Sequence, residues 1–152
     1  MKSPLKNDNY RDKFKRLIEN TDLSNLKRLS VVGGEPFLSP TFEWFLSRIS
    51  QQLQIKITTN GSIFPSKKLL NLLSKHNVFL DISIDSVGKL AEVIRYGVSW
   101  EVVDKNIKKF LKTEFFVKFC CLVSIMNVNK LDNVIQYARK NNVPVVPYYL
   151  NW

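Results

Sequence analysis

The sequence is poor in the side chains that most directly announce chemistry. It holds one histidine, His76, and two cysteines, Cys120 and Cys121, which are neighbours. Neighbours on a strand point to opposite faces, so this pair is badly placed to share a metal. It also lacks the C-x-x-C spacing of zinc and redox sites. Two buried, inert thiols are the reading this pattern favours. His76 falls at the end of a helical pattern and reads as a surface histidine at a helix terminus. No apolar run approaches the roughly 20 residues that a membrane span needs. The opening residues lack the apolar stretch of a secretory signal. A soluble, cytoplasmic protein with no membrane partner is the expectation.

Acidic residues are also scarce. Thirteen aspartates and glutamates face 23 lysines and arginines, for a formal net charge of +10. Much of the excess lies in two stretches, Lys13, Lys15 and Arg16, and then Lys105, Lys108, Lys109, Lys112 and Lys118. Such charge can attract a polyanion such as nucleic acid. The pattern favours a solvated, lysine-rich helix face instead. Arginine is rare in the clusters, and no aromatics alternate with the lysines to stack bases.

What is present is an ordinary globular composition, 45% apolar and 24% charged over 152 residues. That is enough for a single domain, 1–152, with its own core. Residues 1–25 read as a lead-in with a helix at 9–20, which places Tyr10, Phe14, Leu17 and Ile18 on one side. Strand–helix repeats follow over 26–150. Strands are expected at 28–32, 55–58, 79–85, 116–124 and 143–150, the last an edge because it contains Pro144 and Pro147. Ser39 and Pro40 open a helix as N-cap and first residue, and Phe42, Phe45, Leu46, Ile49 and Leu53 follow at helical spacing. A helix from about Ser66 turns Leu69, Leu70, Leu72 and Leu73 inward. A long connection, 87–97, precedes a helix capped by Ser99 with Trp100, Val103, Ile107, Phe110 and Leu111 inward. Asn129 caps the last helix, which buries Leu131, Val134, Ile135 and Ala138.

Strands alternating with helices of this length imply an α/β fold built on a parallel sheet. A two-sided parallel sheet has strands that are apolar throughout. Here one face of several strands is polar: Lys56, Thr58 and Asn60; Asp81, Ser83 and Asp85; Lys118, Cys120 and Ser124. The expected architecture is therefore an open, curved parallel sheet of about five strands, with helices on its outer face. Lys56, Asp81 and Lys118 are placed to form an ion network on the concave face.

Ligands of parallel α/β sheets bind beyond the carboxyl ends of the strands. There the chain carries Gly33-Gly34-Glu35-Pro36, then Thr59-Asn60-Gly61-Ser62, then Ser83 and Asp85-Ser86, then residues 124–127. Singly, each has a structural reading as a turn or a cap. Four polar sites at one edge point to a ligand.

In order, the chain reads VVGGEP, ITTNGS, ISIDS, IRYGVSWEVVDKNIKKF and an asparagine-bearing loop. Over roughly residues 26–149 this resembles the radical S-adenosylmethionine (radical SAM) family, in the branch of peptide-modifying enzymes with auxiliary-cluster (SPASM or twitch) domains. The resemblance implies a partial (β/α)6, TIM-like barrel. It implies that Gly33, Gly34 and Glu35, with Pro36, lie against the methionyl amino group of S-adenosylmethionine. Backbone carbonyls suit an ammonium group, which only donates. Thr58 and Asn60 would line the methionyl end, and Ser83 and Asp85 would face the ribose. Arg95 would approach the carboxylate as a guanidinium fork. Val123 and Ser124, with Asn127 or Asn129, would border the adenine.

The family holds a [4Fe–4S] cluster on a C-x-x-x-C-x-x-C loop, because thiolates are the usual ligands of such clusters. That motif is not in this sequence. The resemblance then implies a piece of a core that begins just after the cluster loop and lacks the first barrel strand. It would be inactive alone and would hold neither the cluster nor catalytic residues of its own. A complete parent would carry the cluster, cleave S-adenosylmethionine reductively and act on a peptide or small molecule. Two other readings compete. One is a non-catalytic half-barrel that binds S-adenosylmethionine, a nucleotide or a partner, with an exposed sheet edge open to self-association. The other, least favoured, is a basic nucleic-acid-binding domain.

Overall fold

A computed structural model describes residues 8–149. Alternation along the strands builds the sheet. In β2 (Gln54–Thr59), Ile55 and Ile57 are fully buried while Lys56 between them is exposed. β3 (Asn77–Ser83) buries Val78, Leu80 and Ile82, and β4 (Phe116–Val123) buries Val117, Phe119 and Cys121. β1 (Arg28–Val31) and β5 (Val145–Tyr149) lie at the two edges. All five strands pair in parallel, in the order β1-β2-β3-β4-β5. Ile57 pairs with Leu80 and Leu80 with Val117, so the apolar residues of neighbouring strands share one face.

Helices cover that face. They are α1 (Asp8–Glu19), α2 (Pro40–Leu46), α3 (Lys67–Leu73), α4 (Lys89–Ile94), α5 (Trp100–Phe110) and α6 (Leu131–Lys140). Phe42, Phe45 and Leu46 of α2 join Leu69 and Leu73 of α3, Val103, Ile107 and Phe110 of α5, and Val134 and Ala138 of α6 in one core. Each fully buried leucine or isoleucine there contributes about 2 kcal/mol. The result is the open α/β half-barrel expected from the strand pattern. Among the described residues, no helix is long and apolar enough to cross a membrane.

Several local expectations are corrected. His76 is not a surface residue: it is buried, and its Nδ1 accepts a hydrogen bond from the Leu53 backbone N–H at 3.2 Å. α2 ends at Leu46, so Ile49 and Leu53 are buried from the segment beyond it. The Ser47 hydroxyl donates to the Trp44 carbonyl at 2.6 Å, offering the backbone a local alternative to the helix. The 87–97 connection contains α4, entered through Gly88 at φ +64°. Ser99 makes no side-chain cap. Instead the Glu92 carboxylate accepts from the Trp100 N–H at 2.9 Å. Asn129 is exposed inside a 3-10 turn, Val128–Lys130, and caps nothing. Leu70 and Leu72 are only half-buried, as are Leu131 and Ile135, and Leu111 is exposed beyond α5. Tyr10 and Leu17 of α1 stay largely in solvent. The expected end of the last strand, Leu150, lies outside the described residues.

Lys118 also leaves its expected company. Lys105, Lys108, Lys109 and Lys112 are exposed, whereas Lys118 is half-buried on the concave face. Of the two cysteines expected to be buried, only Cys121 is. Cys121 is in the core, and burial, with Asp85 nearby, pushes its thiol up to about 11. Cys120 lies half-buried on the other face, its thiol also raised, by burial first and then by Asp81.

Candidate functional site

The carboxyl ends of β1 to β4 form one edge, and its geometry starts with Glu35. Gly33 and Gly34 leave β1 at φ +88° and +50°, values that a side chain would strain. An added Cβ on either would meet nothing within 4 Å, so their backbone is open to an approaching ligand. Glu35 is not free. Its carboxylate accepts from the Thr59 hydroxyl at 2.8 Å, from the Asn60 N–H at 3.3 Å and from the Phe37 N–H at 3.3 Å. It therefore locks the β1 turn to the end of β2. Pro36 is buried and starts the 3-10 turn Pro36–Leu38. What this motif offers a ligand is main chain, with the acid as its brace.

At the end of β2, the Asn60 side-chain oxygen accepts from the Ser62 N–H at 2.8 Å. Gly61 follows at φ +75°, packed so closely that a Cβ would lie 3.2 Å from Ile82 and 3.3 Å from Val103. Asn106 of α5, itself buried, donates to the Gly61 carbonyl at 3.0 Å. Thr58 is half-buried on the concave face and lines a hollow of about 260 Å³ with Ser83, Arg95, Cys120 and Tyr148.

Beyond β3, Asp85 is the hub. One carboxylate oxygen lies 2.7 Å from the Arg95 guanidinium, and the other accepts from the Leu122 N–H at 2.8 Å. Asn60, Ser83, Asp85 and Arg95 border one narrow cleft of only about 10 Å³, next to the larger hollow with which it shares Ser83 and Arg95. A guanidinium has five donors and a carboxylate about four acceptor sites, so the pair retains capacity for further partners. Asn127 is buried and donates to the Asp85 and Leu122 carbonyls, both at 2.8 Å, while its oxygen accepts from the Ser124 N–H at 2.7 Å. It ties β3 to the loop after β4. Val123, the last residue of β4, and Ser124, which follows it, are half-buried and do not line the cleft.

The structure thus brings Thr58, Ser83 and Arg95 to one hollow and places Asn60 and Asp85 beside it. Glu92 and Asn106 were not singled out by sequence reasoning, and Thr59 only as part of the turn after the second strand. Thr59 carried a usable signal, a polar residue in the buried register of Ile55 and Ile57. Asn106 carried another, an amide on the apolar side of α5.

Deeper on the concave face, the Asp81 carboxylate lies 3.2 Å from the Lys56 ammonium and 3.3 Å from that of Lys118. This is the ion network expected from the strand alternation. The Asp81 hydrogen bond and charge raise Lys56 above its usual lysine value.

An α/β half-barrel with a glycine turn, a hydroxyl and an acid–arginine pair at one strand edge defines a class of ligand-binding cores. The model of the radical SAM superfamily matches residues 4–138, and the chain belongs to that superfamily. Among solved structures, it is similar to SuiB of Streptococcus suis at 15% identity, TM-score 0.64, over 94% of this chain and 33% of that one. SuiB has also been solved with S-adenosylmethionine and, at 17% identity to this chain and TM-score 0.61, with its precursor peptide SuiA. A structure of anSMEcpe with bound AdoMet and a Cp18Cys peptide matches at 14% identity and TM-score 0.66, over 91% of this chain and 41% of that one. The chain therefore spans about a third to two fifths of these relatives. No curated protein matches its sequence.

The residues present do not fit an iron–sulfur cluster. Cys120 and Cys121 occupy opposite faces of β4, both thiols resist ionisation, and clusters need thiolates. Among the described residues, no group of histidine, cysteine, aspartate or glutamate is placed to hold a metal.

Proposed function

We propose that this chain is the S-adenosylmethionine-binding portion of a radical SAM core. The observation that carries the reading is the Asp85–Arg95 pair beside Ser83, on the strand edge that also presents the open Gly33–Gly34 turn. In this reading the main chain of Gly33 and Gly34 takes the amino group and Arg95 the carboxylate. Thr58 and Asn60 flank the methionyl end. Ser83 and Asp85 take the ribose, and Val123, Ser124 and Asn127 border the adenine. Bound S-adenosylmethionine supplies a sulfonium whose reductive cleavage starts radical chemistry. The cluster that reduces it requires cysteines outside these 152 residues, and this chain alone is inactive. The peptide-bound structures of SuiB and anSMEcpe support a peptide as the substrate of the whole enzyme.

Calorimetric titration with S-adenosylmethionine tests the reading. Weak binding is expected, reduced about tenfold by Arg95→Gln through loss of a charge-assisted contact. Lys112→Gln, on the outer surface, should leave it unchanged. Failure of the unmodified chain to bind would overturn the assignment.

A second reading rests on β1, which among the described residues pairs only with β2 and leaves its other edge open. Beside it lies an apolar hollow of about 460 Å³ lined by Phe14, Ile18, Leu23, Leu29 and Phe42. An edge of this kind accepts a strand from another polypeptide. Sedimentation across a concentration series tests self-pairing, and a monomer throughout would remove it.

A further inference from the structure

One part of the concave face carries more positive charge than the buried acid within it requires. A hollow of about 500 Å³ lies below the strand edge and is lined by Arg28, Lys56, Asp81 and Lys118 and by the rings of Phe79 and Phe116. Asp81 keeps only 5% of its side chain exposed and is already paired by either lysine. One lysine would neutralise it. The second lysine and Arg28, which is exposed and forms no ion pair among the described residues, leave a surplus of positive charge in a partly desolvated hollow. Phe79 and Phe116 touch with ring centroids 5.7 Å apart and planes tilted by 55°, and Phe116 is 56% exposed. An apolar platform beside unneutralised cations suits a carboxylate next to an apolar side chain. The volume is within the range of small-ligand sites, roughly 300–1,000 Å³.

We propose that this hollow binds an acidic residue of a peptide substrate, with Arg28, Lys56 and Lys118 taking its carboxylate and Phe79 and Phe116 its apolar neighbour. The assignment rests on the peptide reading above and deepens it to a substrate preference. It uses the same face as the cofactor cleft but different residues. The adjoining hollow, which shares Lys56 and Asp81, reaches Thr58, Ser83 and Arg95, so a peptide seated here lies against the proposed cofactor end.

The test titrates the 152-residue chain with two capped dipeptides, N-acetyl-glutamyl-leucinamide and N-acetyl-glutaminyl-leucinamide, followed by NMR of the lysine ε-methylene and phenylalanine ring signals. The acidic peptide is expected to bind about tenfold tighter, as hydrogen bonds to a charged group allow. Signals of Lys56, Lys118, Phe79 and Phe116 should move. Arg28→Gln, at an exposed position, should reduce the preference about threefold, the scale of one partly exposed charge contact. Lys118→Gln leaves Asp81 paired with Lys56 and should reduce it further. Equal affinity for the two peptides overturns the proposal, and so does a preference that survives both substitutions. S-adenosylmethionine binding is measured on the same samples. Its loss with the peptide preference intact sinks the cofactor reading alone, and the reverse result sinks the carboxylate site alone.

Discussion

The buried imidazole of His76 shows how one side chain links packing to pH. Burial first, and the neighbouring Lys75 second, lower its basicity, and the neutral ring accepts the Leu53 N–H. His76 is therefore harder to protonate in the fold than in the open chain, where it titrates near 6.5. Below that pH the unfolded state binds more protons, so stability should fall as pH drops from about 7 to about 5. Urea melts across that range measure the slope. His76→Ala should flatten it and cost about 1–3 kcal/mol at pH 8, because the Leu53 N–H loses its acceptor. An unchanged slope would place the titrating group elsewhere. Sequence position alone did not reveal this role, since a helix-terminal histidine reads as exposed until the Leu53 turn is folded against it. Asp81 is the contrasting case. Strict alternation in β2, β3 and β4 is enough to place it between two lysines on one face of the sheet.

At the scale of elements, the same distinction recurs. Strand existence, direction and face were legible, because Ile55 and Ile57, Leu80 and Ile82, and Val117 and Phe119 repeat with period two. Helix starts were legible where the cap is local. Ser39 accepts from the Phe42 N–H at 3.3 Å and Ser66 from the Leu69 N–H at 3.1 Å. They were not legible where the cap comes from afar, as at α5, where Glu92 of α4 reaches Trp100. Thermal melts should separate the two candidates. Glu92→Ala is expected to cost about 0.5–2 kcal/mol and Ser99→Ala close to nothing. The opposite order would show that the hydroxyl, not the carboxylate, holds the helix start. The candidate site was legible in the same uneven way. Glu35 was visible as a motif residue, but its role as a brace depends on Thr59 and Asn60, one strand away.

For the molecule as a whole, charge is the dominant long-range term. A net charge of +10 makes the folded chain repel itself, and half of the ion pairs among the described residues are too exposed to contribute much. Raising the salt from about 0.01 M to about 0.5 M should screen that repulsion and raise the melting temperature. A fall would mean that the Asp81 and Asp85 networks outweigh the net charge.

The unbroken strand order has a consequence for how the protein comes into being. Among the described residues, every strand after β1 pairs with the strand just before it in the chain: Arg28 with Gln54, Ile55 with Val78, Phe79 with Phe116, and Phe119 with Val145. None of these five strands waits for a later one to be inserted between two that have already formed. As the chain leaves the ribosome, at about 5–20 residues per second, each new strand–helix unit finds its docking edge already built. Growth can proceed as addition to one end, as in repeat proteins, where each unit depends on its neighbour rather than on the whole.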